Sequence, residues 1–340
     1  MNKITACVIG IGRIGMLLED DLKRRKPATH FGMFNLHPKI NLVGVCDKNE
    51  SNLKKATEMK PEIKTFTDAR KMISELKPNI ISIATWKDTH YEMLKLCIDM
   101  GIKVIICEKP ISEKVEHAEE IEKLARDKGV HILVNHRRRF DSKLYPFITD
   151  LKNGLIGEIR QANIYYVYGL YATGTHMIDS IRFFLKDICG EIISVIGLEN
   201  KYNNFSFSDD PCIDAVIEFQ SGLKVHMQSL NMKDYDIHDI HLYGTKGKIE
   251  FTHIGRSIKH YKVIDSPEHQ NFTELSLDYD YYLKETPRNQ FEYLADNAIK
   301  CLNGEGTSLS TIEDSTIALK VLHAIEKSSK NNSEKIMLNL

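Results

Sequence analysis

Long apolar runs are missing from this 340-residue chain: none approaches the roughly 20 consecutive residues that a membrane-spanning helix needs. Nor does the N-terminus carry the charged and apolar stretches of a secretory signal; it opens at once on a strand-like run, so a cytoplasmic protein is expected. Charge of one sign is missing too. With 46 basic and 47 acidic residues the net charge is −1, which leaves no global field to favour nucleic acid or an anionic membrane. The seven cysteines include no CxxC pair, and no spacing of cysteine, histidine and acid completes a metal site, so no metal is expected. Cys7, Cys97 and Cys107, in apolar or helical surroundings, read as reduced core thiols. Internal repeats and low-complexity linkers are absent as well. What is there is an ordinary globular composition, 42% apolar, long enough for about two domains.

The apolar residues follow two successive grammars. Through residue 136, short apolar runs at Ile4–Ile9, Ile40–Cys46, 80–84, Val104–Cys107 and 130–134 alternate with longer amphipathic segments. One of these, 89–100, carries Met93, Leu94, Cys97 and Ile98 at helical spacing and stops at Gly101. Nearly continuous apolar strands separated by helices predict a parallel sheet covered on both faces. From about Gly157 the pattern changes to alternation: Ile213, Ala215, Ile217 and Phe219 share one face, and Leu223, Val225 and Met227 another, with Ser221-Gly222 as a two-residue hairpin turn between them. This half predicts a mainly antiparallel sheet with one covered face, followed by helical stripes at Phe291, Leu294, Ala298, Ile299 and Leu302 and at Ala318, Leu322 and Ile325. The break falls near residues 136–140, giving domains 1–136 and 137–340.

The first strand runs directly into Gly10-Ile11-Gly12-Arg13-Ile14-Gly15. A strand feeding GxGxxG into a helix suits a dinucleotide: two glycines give the tight turn and close approach to pyrophosphate, and the third lets helix pack on strand. Exposed N–H groups at the helix start then hold the anion; a purely structural βα turn is the alternative. Asp47 ends the second strand, where an acid can accept from the adenosine ribose hydroxyls and disfavours a 2′-phosphate. NAD is therefore expected, with NADP possible because Lys48 adjoins it. The spacing from Gly15 to Asp47 is long, and residues 26–38 read as an insertion after the first helix. At the end of another buried strand stand Glu108, Lys109 and Pro110, where ligands of open α/β sheets gather. A lysine there can donate to a substrate hydroxyl or carbonyl oxygen; a surface lysine at a strand end is the plain alternative.

Together, the glycine loop, Glu108-Lys109-Pro110 and the downstream Gly174-Thr175-His176-Met177-Ile178-Asp179 resemble the glucose-fructose oxidoreductase, inositol dehydrogenase and MocA family. The resemblance runs over essentially the whole chain, including 308–328. It implies an α/β protein with an N-terminal Rossmann domain and a C-terminal α/β domain whose mainly antiparallel open sheet often mediates oligomerisation, so a homo-oligomer, dimer or tetramer, is expected. It further implies that Lys109 and His176 face the nicotinamide and the substrate hydroxyl, with a sugar, cyclitol or nucleotide sugar as substrate. Imidazole can take up a hydroxyl proton while hydride leaves the same carbon. The expected cofactor contacts are Gly10, Gly12, Arg13, Ile14, Gly15, Asp47, Thr85, His90 and Glu108.

One departure stands out. The family commonly has an acid four residues before the histidine, and this chain has Ala172. Thr173 or Tyr168 would supply replacement hydrogen bonds. Two readings besides a dehydrogenase stay open: a glycosidase that uses transient oxidation to drive elimination, and a non-catalytic nicotinamide-binding sensor or subunit. Arg139, within Arg137-Arg138-Arg139-Phe140, is a candidate for a nucleotide-sugar phosphate, because guanidinium matches phosphate geometry; a salt-bridged helix fits the same residues. Asp179 completes the expected substrate contacts. Tyr165, Tyr166, Tyr168 and Tyr171 could stack on a sugar, yet aromatics are also simply good strand residues.

Overall fold

The structure is a computed structural model and describes residues 3–202, 210–282 and 288–340. In chain order the first elements are β1 (Ile4–Ile9), α1 (His30–Leu36), β2 (Ile40–Cys46), α2 (Glu50–Met59), β3 (Lys64–Phe66), α3 (Ala69–Leu76), β4 (Ile80–Ile83), α4 (His90–Asp99), β5 (Val104–Cys107), α5 (Val115–Lys128) and β6 (His131–Val134). Then come α6 (Leu144–Lys152), β7 (Ile159–Tyr166), α7 (Thr175–Cys189), β8 (Ile192–Glu199), β9 (Ile213–Phe219), β10 (Lys224–Ser229), β11 (His238–Gly244), β12 (Gly247–Thr252), β13 (Ser257–Asp265), β14 (Thr273–Tyr282), α8 (Gln290–Leu302), α9 (Ile312–Lys330) and β15 (Ile336–Met337).

These elements form two compact units, Met1–Asp141 with Pro287–Thr316, and Ser142–Thr286 with Ile317–Leu340. The first unit holds a six-stranded sheet in the order β3-β2-β1-β4-β5-β6. Every neighbouring pair in it is parallel. The order reverses between β1 and β4, which opens a crevice at the carboxyl ends of those strands. Strands β4 and β5 are buried throughout, as their unbroken apolar runs require when helices cover both faces. The core includes Val8, Phe31, Phe34, Val45 and Ile106 and also Phe291, Leu294 and Ala298 of α8. A single break near 136 therefore does not describe this unit, because α8, much further along the chain, packs its apolar stripe into it. The edge strand β3 has only three residues, one of them buried, which is why no apolar run announced it.

The second unit is a nine-stranded sheet, β14-β13-β12-β11-β7-β10-β9-β8-β15. It is antiparallel except where β10 runs parallel to β7. The alternation read from the sequence is real: Ile213, Ala215, Ile217 and Phe219 point into a core shared with Phe147, Ile178, Phe184, Leu322 and Ile325. The β9–β10 turn differs by one residue from expectation. Phe219 and Leu223 pair, and Gly222 takes the left-handed position of a three-residue loop, φ +85°.

Among the described residues, no helix is long and apolar enough to cross a membrane, and no group of three or more His, Cys, Asp or Glu could hold a metal ion. All seven cysteines are buried, and none is in a disulfide. Burial pushes the thiols of Cys7, Cys46 and Cys97 up to about 12, so they stay protonated.

Candidate functional site

At the carboxyl end of β1 the three loop glycines do different work. Gly10 takes φ +83°, and a Cβ there would lie 2.7 Å from the backbone nitrogen of Thr85. Gly15 packs so closely that its Cβ would sit 2.1 Å from the Gly10 carbonyl oxygen. Among the described residues, nothing lies within 4 Å of the place a Cβ on Gly12 would take. Two glycines thus close the turn and the third leaves an open cradle, as a pyrophosphate requires.

Beyond the loop, the chain departs from the expected helix. Met16 N–H and Leu17 N–H donate to the Gly12 carbonyl, and a short 3-10 turn covers Leu17–Asp20. Then the chain leaves. The Phe31 amide donates to the Gly15 carbonyl at 2.8 Å and the His30 amide to Ile14 at 3.2 Å, so α1 resumes the helix that residues 16–29 interrupt. The insertion is therefore 16–29, inside the first helix, and not 26–38 after it. Its own polar groups hold it there: Glu19 accepts from the Ala28 amide and the Thr29 hydroxyl, and the Lys26 ammonium reaches the carbonyls of Leu18, Glu19 and Asp21. Arg13 is exposed and Ile14 half-buried beside the cradle.

Asp47 stands at the end of β2 as expected, and its carboxylate also braces the loop. Oδ2 accepts from the Ile11 amide at 2.8 Å and Oδ1 from the Asn49 amide at 2.8 Å. Oδ2 also accepts from the Asn52 side-chain amide at 3.3 Å, which uses its two lone-pair sites, so it is Oδ1 that retains capacity for a ribose hydroxyl. Thr85 lies half-buried against Gly10, with its hydroxyl accepting from Thr89. His90 differs from expectation. It is buried, with Nδ1 2.7 Å from the Pro110 carbonyl and Nε2 3.1 Å from the Thr85 carbonyl, so it ties the loop after β4 to the loop after β5 and has no ring nitrogen left for a ligand.

Beneath Lys109 lies a polar network that the sequence did not announce. His30 is 0% exposed; its Nε2 lies 2.8 Å from Glu108 Oε1, its Nδ1 2.6 Å from Ser82 Oγ, and its ring meets Phe291 edge-on. Asn135, the first polar residue after β6, donates to Glu108 Oε1 at 2.6 Å. Burial by itself raises the Glu108 carboxyl, but the hydrogen bond and charge of His30, with Lys109 and Asn135, outweigh it and bring the group down to about 2. Glu108 is therefore an anchored carboxylate, and Lys109 follows it half-buried before a cis peptide to Pro110.

That depression carries a prediction for acid stability. A group whose folded value lies below its unfolded one adds stability that is full above the ordinary carboxylate range and is lost as the pH falls toward 2. Glu108→Gln should remove on the order of 3 kcal/mol at neutral pH and flatten unfolding between pH 4.5 and 2. Urea midpoints that shift in parallel for both proteins across this range would contradict it.

In the second unit, His176 sits half-buried in the first turn of α7. The turn before it, Leu170–Gly174, is one of π type. Asp210 holds that turn: Oδ1 accepts from the Tyr171 amide at 2.8 Å and Oδ2 from the Ala172 amide at 2.6 Å. A carboxylate thus reaches the backbone of residue 172 from another segment, and nothing in the local sequence signals it. Tyr168 is half-buried at φ +72°, with its ring edge-on to His238. Thr173 and Asp179 are buried, as is Tyr166, whose hydroxyl donates to the Ile213 carbonyl at 2.7 Å. Tyr171 donates to Glu326 at 2.5 Å. Arg139 is buried in the first unit with its guanidinium 2.8 Å from Asp314, so this cation braces the fold and does not await a phosphate.

Known proteins bear on this geometry. Residues 4–136 match the model of the oxidoreductase family, NAD-binding Rossmann fold, and residues 169–338 that of the oxidoreductase family, C-terminal alpha/beta domain. The chain is 22% identical over 240 residues to D-glucoside 3-dehydrogenase of Escherichia coli, covering 61% of this chain and 68% of the relative. It is 24% identical over 151 residues to myo-inositol 2-dehydrogenase of Thermotoga maritima, covering 44% and 41%. The fold matches that of the WlbA dehydrogenase from Bordetella pertussis, solved with NADH and UDP-GlcNAcA, at TM-score 0.77 and 18% identity over 99% of both chains. The cradle at Gly12, the acid at the end of β2 and the lysine at the end of β5 fit a nicotinamide dinucleotide, and this chain belongs to the NAD-binding Gfo/Idh/MocA oxidoreductase family.

Proposed function

We propose that the chain interconverts a secondary hydroxyl and a ketone of a sugar, cyclitol or nucleotide sugar, with Lys109 polarising the reacting oxygen and His176 exchanging its proton. The observation that carries the reading is Lys109 itself. It is half-buried at the carboxyl end of β5, directly after the anchored Glu108 and in the unit that holds the Gly12 cradle. The substrates named for the two dehydrogenases above, a glucoside and an inositol, support the substrate class.

The nicotinamide, when bound, accepts or returns the hydride at the substrate carbon. The other tasks fall to side chains. The ammonium of Lys109 donates to the oxygen and stabilises the negative charge that develops on it. The His176 imidazole takes the proton in oxidation and returns it in reduction. Asp47, accepting from ribose hydroxyls, favours NAD over NADP, and Glu108 would reach a bound cofactor only through the backbone and charge of its neighbours.

Purified protein with a panel of sugars, cyclitols and nucleotide sugars should change nicotinamide absorbance with stoichiometric product. Glycoside cleavage without net cofactor consumption would instead favour the elimination reading. Binding can be followed separately, because Trp86 is the chain's one tryptophan and is 80% exposed in the loop directly after Thr85. Indole emits where reduced nicotinamide absorbs, so NADH should quench Trp86 and gain sensitised emission. Binding by calorimetry without either change would move the dinucleotide away from this loop.

A further inference from the structure

The carbonyl oxygen of the Asn135 side chain has no hydrogen-bond partner among the described residues, although Asn135 is 3% exposed. Its other terminal atom is committed: Nδ2 donates to Glu108 Oε1 at 2.6 Å. The amide cannot be turned over, because an ionised carboxylate only accepts and would repel the carbonyl oxygen. The backbone is fixed as well, with the Asn135 amide donating to the Cys107 carbonyl at 2.8 Å. A buried acceptor left without a donor is uncommon and points to a donor that completes it.

The sheet order narrows what that donor is. A dinucleotide lies across the crevice at the switch from β1 to β4. Asp47 at the end of β2 marks the adenosine half, so the nicotinamide half lies over the ends of β4, β5 and β6, where Lys109 and Asn135 both stand. Nicotinamide carries one N–H donor group, its carboxamide. We propose that the Asn135 carbonyl oxygen accepts a hydrogen bond from the nicotinamide carboxamide, and that Glu108, anchored by His30 and Ser82, exists partly to aim it.

Asn135 in this role is a binding residue that fixes the ring's rotation. The chain Ser82–His30–Glu108 is an anchor and not a proton path, since Ser82 and His30 are both 0% exposed and lead nowhere. The inference rests on the assignment of a nicotinamide cofactor to this sheet.

The test uses 3-acetylpyridine adenine dinucleotide, in which a methyl group replaces the carboxamide nitrogen. Titration calorimetry on the full chain should show NAD binding about tenfold tighter than the analogue. In Asn135→Ala the two dinucleotides should bind within about twofold of each other, because the acceptor is gone. Asn135→Ser, whose hydroxyl is too short to reach, should behave likewise if the alanine variant does not fold. Equal affinities in the natural chain, or an unchanged preference in either variant, overturn the proposal. If the natural chain binds neither dinucleotide, the cofactor assignment falls and the inference with it, a result distinct from loss of the preference alone.

Discussion

Lys109→Ala should lower turnover roughly a hundred- to a thousandfold while NADH binding, read from Trp86, stays within a few-fold. The size reflects the loss of one charged donor at an oxygen whose negative charge grows in the transition state. Ground-state binding is spared because the cradle at Gly12 and the brace at Asp47 are separate from the lysine in the chain and intact in the variant. Arginine should not restore the rate. Guanidinium is planar, longer and never gives up its proton, so it cannot take the place of a compact ammonium beside Pro110. A Lys109→Ala protein with full activity would remove the lysine from the mechanism.

The second large effect separates two glycines that the motif treats alike. Gly15→Ala would place a Cβ 2.1 Å from the Gly10 carbonyl oxygen and 2.8 Å from Ile11 Cα, both backbone atoms with no side chain free to yield. It should cost about 3 kcal/mol of stability or more, visible as a lower urea midpoint. Gly12→Ala adds a methyl group to open space, so the midpoint should hold within about 0.5 kcal/mol. Cofactor affinity should nevertheless fall at least tenfold, because the methyl group occupies the space a phosphate needs. A Gly12→Ala protein that binds NADH normally would show that the dinucleotide does not approach this backbone.

Much of this was legible in the sequence because the relevant signals are local. A strand buried on both faces must be apolar along its whole length, so β1, β2, β4, β5 and β6 stood out, while β3, with a single buried residue, did not. A half-covered sheet must alternate, which revealed β9 and β10. The glycine loop needs its residues consecutively, and Lys109 follows its strand at once.

The missed features are those in which the chain returns from far away. His30 looked like part of an insertion, yet its amide continues a helix begun at Gly12. Asp210 reaches Ala172 from 38 positions on, and α8 enters the first core from beyond residue 287. Arg139 is ambiguous in the sequence because a guanidinium that fits phosphate fits Asp314 equally well, and only packing tells which is present. Asn135 carries a local signal too, since it is the first polar residue after β6, as Lys109 stands just past the end of β5.

By itself, then, the sequence determined the class of each unit, the direction of its strands and the kind of ligand its first loop accepts. Periodicity and short motifs express constraints between residues a few positions apart. The tertiary structure decided which polar groups are already satisfied. His90 and Arg139 are bound to partners within the fold, whereas one oxygen of Asn135 is buried without one among the described residues. Hydrogen bonds saturate, and their partners lie anywhere in the chain, so that distinction exists only once the chain has folded.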